Sequence, residues 1–167
     1  MNKECTCCFT GHRAEKLPWN TDEQDGRCLA LKVRIADALL SLYEAGYRHF
    51  ICGMANGCDL YFGEAVVALR SERPDVTLEA AIPYEGQAGT WAPELRKRYF
   101  RLAEECDSKT VLHSEYTPSC MMDRNRYMVD HSSVLLAAYN GSPGGTMNTM
   151  LYAMRNGVQI IQLPVER

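Results

Sequence analysis

Val134-Leu135-Leu136-Ala137-Ala138-Tyr139, running into Asn140-Gly141-Ser142-Pro143-Gly144-Gly145-Thr146, is the stretch on which the fold turns. The first six residues are apolar throughout, without the alternation of a half-solvated strand, and so describe a strand buried on both faces. Glycine and proline end the run. Met147, Met150, Leu151 and Met154 then recur at helical steps, closed by Gly157, and Ile160 and Ile161 sit in a final strand. The unit is a strand, a glycine-rich loop and a helix.

The same alternation runs upstream. Thr6 to Thr10 reads as a strand that stops at Gly11. Arg27 to Ala45 reads as a helix, with Leu29, Val33, Ala36, Leu40 and Tyr43 at steps of three and four and Gly46 as a left-handed stop. Arg48 to Cys52 is the next strand, followed by a turn from Gly53 to Asp59. Phe62, Ala65, Val66 and Leu69 mark a second helical face. Thr77 to Ile82 is a strand broken by Pro83, and Leu95, Tyr99, Leu102 and Cys106 give a third helix. A short strand around Thr110 to Leu112 and a helix from about Met121 to His131 complete the pattern. Such alternation implies right-handed crossovers and an α/β, Rossmann-like three-layer sandwich with a mostly parallel sheet. No repeat, low-complexity tract or linker interrupts residues 1–167, which are expected to form a single domain.

With 46% apolar and 23% charged residues in 167, the chain has enough material for one packed core. A formal net charge of −3 argues against a protein that coats nucleic acid, so nucleic acid is not an expected partner. No apolar run reaches membrane-spanning length, and Met1-Asn2-Lys3-Glu4-Cys5 lacks the apolar segment of a secretory signal. A cytoplasmic location without a membrane partner is the expectation. Of the eight cysteines, Cys7, Cys8, Cys28, Cys52 and Cys106 fall in predicted strands and helices, where a free thiol acts as a small apolar side chain, so no disulfide is expected. Cys5, Cys7 and Cys8 match none of the paired spacings of a zinc site, and neither metal nor cofactor is expected.

Ligands of open parallel sheets bind beyond the carboxyl ends of the strands. Three loops there carry candidate residues: Gly11-His12-Arg13, Gly53-Met54-Ala55-Asn56-Gly57-Cys58-Asp59, and the loop ending in Gly144-Gly145-Thr146. Glycine lets backbone approach a phosphate, and a helix start offers free N–H groups to an anion. Thr146 and Thr149, one turn apart, add hydroxyls. Each glycine read alone is equally a tight turn. Neither Gly-x4-Gly-Lys-Ser/Thr nor Gly-x-Gly-x-x-Gly is present. Asp59 has two readings held side by side, a helix cap or an acceptor for a ribose or base. Gln87 is placed to read a base edge and Trp91 to stack on it, or Trp91 simply pins a long loop. Arg96, Lys97, Arg98 and Arg101 read as a solvated helix face. In Asp123-Arg124-Asn125-Arg126 a guanidinium could meet phosphate, although a salt-bridged helix surface is the favoured reading of Arg124.

Together these motifs resemble the SLOG superfamily, which unites the DNA-processing protein A fold with LOG-type phosphoribohydrolases, and within it the YpsA-like branch. The resemblance runs from Phe9 to about Leu163. It rests on Thr10-Gly11-His12-Arg13, the Gly53–Asp59 loop, Ile82-Pro83 with Gln87 and Trp91, Arg124-Asn125-Arg126-Tyr127-Met128-Val129-Asp130, and Gly144-Gly145-Thr146. It implies a nucleotide-like small molecule as partner, with Asn125 and Arg126 joining the loop residues at the site. LOG-type enzymes carry Pro-Gly-Gly-x-Gly-Thr-x-x-Glu, whose glutamate acts at a glycosidic bond. Here Pro143-Gly144-Gly145-Thr146-Met147-Asn148-Thr149-Met150-Leu151 keeps the glycines and lacks the glutamate. Since glycosidic cleavage needs a carboxylate, this leaves three readings in order: a binding or sensing domain, a phosphoribohydrolase with Asp59, Glu64 or Glu85 as substitute, and a single-stranded DNA binder. A homo-oligomer is left open.

Overall fold

The apolar run at 134–139 is β5 (Val134–Tyr139), flanked on both sides by parallel neighbours, β1 (Thr6–Gly11) and β6 (Gln159–Pro164). A computed structural model describes residues 2–166. With β2 (His49–Cys52), β3 (Thr77–Tyr84) and β4 (Ser108–His113) the sheet order is β4-β3-β2-β1-β5-β6, and every pairing is parallel. The connecting helices are α1 (Gly26–Glu44), α2 (Cys58–Glu72), α3 (Pro93–Glu105), α4 (Cys120–Asp130) and α5 (Gly145–Arg155).

Alternation along β1 divides the two layers. Cys7 and Phe9 face the core built with α1, α2 and α3, while Cys8 faces the smaller core under α4 and α5. Phe9 stacks on Phe62 of α2 with ring centroids 4.7 Å apart. The fold is thus a three-layer, Rossmann-like α/β sandwich. The chain first winds outward from β1 to β4 and then returns to β5, on the other side of β1. At that reversal the loops part, and a crevice opens at the carboxyl ends of β1 and β5.

Two helices bury a different face from the one their periodicity advertises. α1 seats Cys28, Leu31, Ile35, Leu39 and Leu42, whereas Leu29 and Val33 are 44% and 59% exposed. Both stripes are apolar at helical spacing, so the pattern identifies the helix without choosing its face. α5 buries Thr146, Thr149 and Ala153 and leaves Met154 65% exposed, because small side chains let it lie close on the sheet.

All eight cysteines are free. Cys7 and Cys8 lie on opposite faces of one strand and cannot share an ion, and burial pushes the Cys8 thiol up to about 12. Among the described residues no group of three or more His, Cys, Asp or Glu is placed to hold a metal, and no helix is long and apolar enough to cross a membrane.

At Gly11 the end of β1 meets the start of α2. A Cβ there would lie 2.6 Å from Cys58 Cβ and 2.9 Å from the Phe9 ring. Gly11→Ala is expected to destabilise by about 1–3 kcal/mol through overpacking. Urea denaturation should show a lower midpoint with an unchanged slope.

Candidate functional site

A cavity of about 330 Å³ occupies the crevice at the β1–β5 reversal. One wall is the start of α5. Gly144 has φ +146°, a backbone suited to glycine, and accepts the first helical hydrogen bond from Asn148 N. The N–H groups of Gly145, Thr146 and Met147 therefore precede the helix's own ladder. A Cβ on Gly145 would meet nothing within 4 Å, and Lys16 Nζ lies so close over Gly144 that a Cβ there would stand 2.6 Å from it. Open N–H groups beneath an ammonium make a place for an anion. Thr146 lines the cavity, but the hydroxyl of Thr149 does not serve it, being donated to the Gly145 carbonyl at 2.8 Å.

β1 contributes His12. Asn140 N–H donates to His12 Nε2 at 3.1 Å, so that nitrogen is unprotonated and the ring carries its proton on Nδ1. Burial, then the charge of Lys16, lower the imidazole below its ordinary range and keep it neutral.

The loop between β2 and α2 is held by unusual backbone. Met54 and Gly57 have φ 62° and 84°, and a Cβ on Gly57 would strike Ala14 N and His12 O at 2.7 and 2.8 Å. Cys58 N donates to His12 O, which locks this loop to the end of β1. Asp59 is buried, and its Oδ2 accepts from Ala55 N at 3.1 Å. Its carboxylate thus closes the loop rather than capping α2, and it also faces the cavity. Burial raises its pKa despite the nearby charge of Arg124.

α4 supplies Arg124, whose reading as a salt-bridged surface residue is corrected by the structure. It is 4% exposed, donates through Nη1 to Gly53 O and through Nε to Asn125 Oδ1 at 2.8 Å, and lines the cavity with Asn125. A Cβ on Gly53 would come within 2.7 Å of Arg124 Nη1, so only glycine admits this guanidinium.

Gly11, His12, Arg13 and Ala55 therefore meet Asp59, Asn125, Gly145 and Thr146 around one cavity. Gly53, Met54, Gly57 and Gly144 shape its loops from behind. Three expected residues stand apart. Gln87 is buried, with Nε2 3.5 Å from Gly53 O and Oε1 without a partner among the described residues. Trp91 packs edge-on against Tyr99 and anchors its loop to the core. Arg126 is exposed and lies over the Tyr152 ring. Glu15, Lys16, Met121, Arg124 and Met128 are among the contributors that sequence reasoning missed or misplaced. Only Arg124 left a signal, since it shares the Cys120 and Met128 face at helical spacing.

A parallel sheet with a crevice at its reversal defines a Rossmann-like α/β fold. The profile of the YspA SLOG family matches residues 7–164, and the chain belongs to that family. The SPbeta prophage-derived protein YoqJ of Bacillus subtilis is 31% identical over 141 residues, 74% of this chain and 82% of that protein. A UPF0398 protein of Staphylococcus haemolyticus is 28% identical, covering 84% of this chain and 76% of its own length. Among solved structures, DNA processing protein A of Streptococcus pneumoniae superposes with TM-score 0.65 at 20% identity, over 97% of this chain and 51% of that one. The protein of the same name from Helicobacter pylori, described by its single-stranded DNA binding mode, gives 0.64 at 16% identity, over 97% of this chain and 66% of that one. Both likenesses are likenesses of fold. A total of −3 averages over the whole surface, whereas Arg13, Lys16 and Arg124 meet Asp59 and Glu15 at one cavity.

Proposed function

We propose that residues 1–167 act as one domain that binds a nucleotide or nucleotide-derived phosphate ligand in the cavity at the β1–β5 reversal. The start of α5 carries the reading: open N–H groups under Lys16, with Gly145 leaving the approach clear. Asp59 and neutral His12 supply an acceptor and a donor suited to sugar hydroxyls or base edges. A volume of about 330 Å³ suits a small molecule.

Of the three carboxylates named for the hydrolase alternative, one remains. Glu64 is paired with Arg98 at 2.7 Å and Glu85 is exposed in the loop after β3, so of the three candidates only Asp59 lines the cavity. Calorimetry against a nucleotide panel, with chromatography for released base, tests both. Binding without base release is expected. Asp59→Asn should weaken nucleotide affinity roughly tenfold while leaving inorganic phosphate affinity within about twofold. Base release by the parent that Asp59→Asn abolishes would replace the binding reading with the hydrolase. The likeness to DNA processing protein A favours a further reading, single-stranded DNA. Oligonucleotide affinity falling steeply with salt would establish it.

A further inference from the structure

We propose that the cavity holds a second anion subsite, between the guanidinium groups of Arg13 and Arg124, and that its ligand therefore carries two anionic groups. The inference rests on the nucleotide reading above and names the class of nucleotide.

The observation is at Met121. Arg13 Nη2 points at its sulfur from 3.4 Å, and Arg124 Nη2 points at the same sulfur from 3.9 Å. A thioether is an uncharged, weak acceptor, and a poor partner for two cations. Arg124 is buried, and its guanidinium donates to the Gly53 carbonyl, the Asn125 amide oxygen and this sulfur, none of them anionic. Asp59 faces it across Gly53, and Glu15 also lines the cavity, but neither carboxylate lies between the two guanidiniums at the sulfur. Burial presses against the charge of Arg124; Asp59 offsets part of that, and the guanidinium of Arg13 adds to it.

A phosphate oxygen in place of the sulfur would accept charge-assisted hydrogen bonds from both guanidiniums and relieve that repulsion. Met121 is half-buried on an unbranched, flexible side chain, the type of group that can swing aside. This subsite lies toward α4. The one at the start of α5 is built from Gly145 and Lys16, and the two share the cavity.

Calorimetry at fixed ionic strength with AMP, ADP and adenosine 3′,5′-bisphosphate tests the proposal on the parent and on Arg13→Gln. Arg13 is half-buried, and among the described residues its side chain hydrogen-bonds the thioether, with Asp59 near its charge, so Arg13→Gln is expected to fold, with circular dichroism and thermal midpoint as the check. In the parent, at least one two-phosphate nucleotide should bind roughly tenfold or more tighter than AMP. In Arg13→Gln the ratio of the two affinities should fall toward one, whatever happens to AMP itself. Measurable AMP binding with no advantage for either two-phosphate nucleotide would overturn the second subsite and leave the nucleotide reading standing. So would an advantage that survives both Arg13→Gln and Arg124→Lys. Failure of all three nucleotides to bind the parent would overturn both.

Discussion

Gly145→Asp should abolish ligand binding while leaving the thermal midpoint unchanged or slightly raised. The substitution meets open space, and Gly145 is not among the positive-φ glycines, so an aspartate fits without strain. A carboxylate in the first turn of a helix gains roughly 0.3–1 kcal/mol from the macrodipole and the free N–H groups. Those same groups are the ones an incoming phosphate would use. Two negative charges about 4 Å apart repel by about 4 kcal/mol at an effective dielectric near 20, so a loss of at least roughly a hundredfold remains after partial screening. Gly144→Asp should behave oppositely in stability, since φ +146° strains any side chain and Lys16 Nζ already fills the space. Calorimetry and thermal melting of both variants check this. A folded Gly145→Asp that binds as tightly as the parent would reduce the glycine loop to a turn and sink the proposed function.

The loops of this site were legible because their chemistry is local. Gly144-Gly145-Thr146 stands between an apolar strand and a periodic helix, and Gly57 stands just before α2, so their place at the sheet edge follows from pattern alone. Arg124 was not legible in the same way. Its neighbours Asp123 and Arg126 suggest a solvated face, and its decisive partner is the carbonyl of Gly53, 71 residues away. Lys16 is similar: in sequence it follows a glutamate in a polar stretch, and only the fold carries it over Gly144. Gln87 and Trp91 show the converse. Both are residue types that read bases well, yet the loop after β3 turns them toward the backbone and the core.

The strand order had the same limits. Apolar runs identify β1, β2, β3 and β5, and alternation with helices makes the sheet parallel. Which face each helix buries depends on neighbours. In α1 the stripes led by Leu29 and by Cys28 are both plausible until the sheet beneath selects the second. In α5 the methionines that mark the helix are partly outside, because Thr146, Thr149 and Ala153 permit closer packing.

Glu79 is the clearest case of a residue whose meaning appears only in the folded chain, and it sets the largest expected response to pH. It sits inside β3, where a carboxylate interrupts an apolar strand. His49 Nε2 lies 2.8 Å from its Oε1, while Thr110 at 2.9 Å and Tyr127 donate hydroxyls to Oε2. Burial alone would raise its pKa, but these three hydrogen bonds outweigh burial and hold the carboxyl at about 2. Tyr127 belongs to α4, so the network also ties the helix that carries Arg124 to the sheet. A carboxyl with a depressed folded pKa stabilises the fold above its unfolded value, near 4.5, and that contribution is lost as pH falls toward 2. The full loss is on the order of 3 kcal/mol, and the part between pH 4.5 and 3 about 2 kcal/mol, or roughly 4–8 °C in thermal midpoint. Glu79→Gln keeps an acceptor and removes the titration. It should lower stability at pH 7 by about 1–3 kcal/mol and flatten the decline between pH 4.5 and 3. Melting curves of parent and variant across that range measure both effects, and parallel declines in the two proteins would show that other carboxylates, not Glu79, govern acid unfolding.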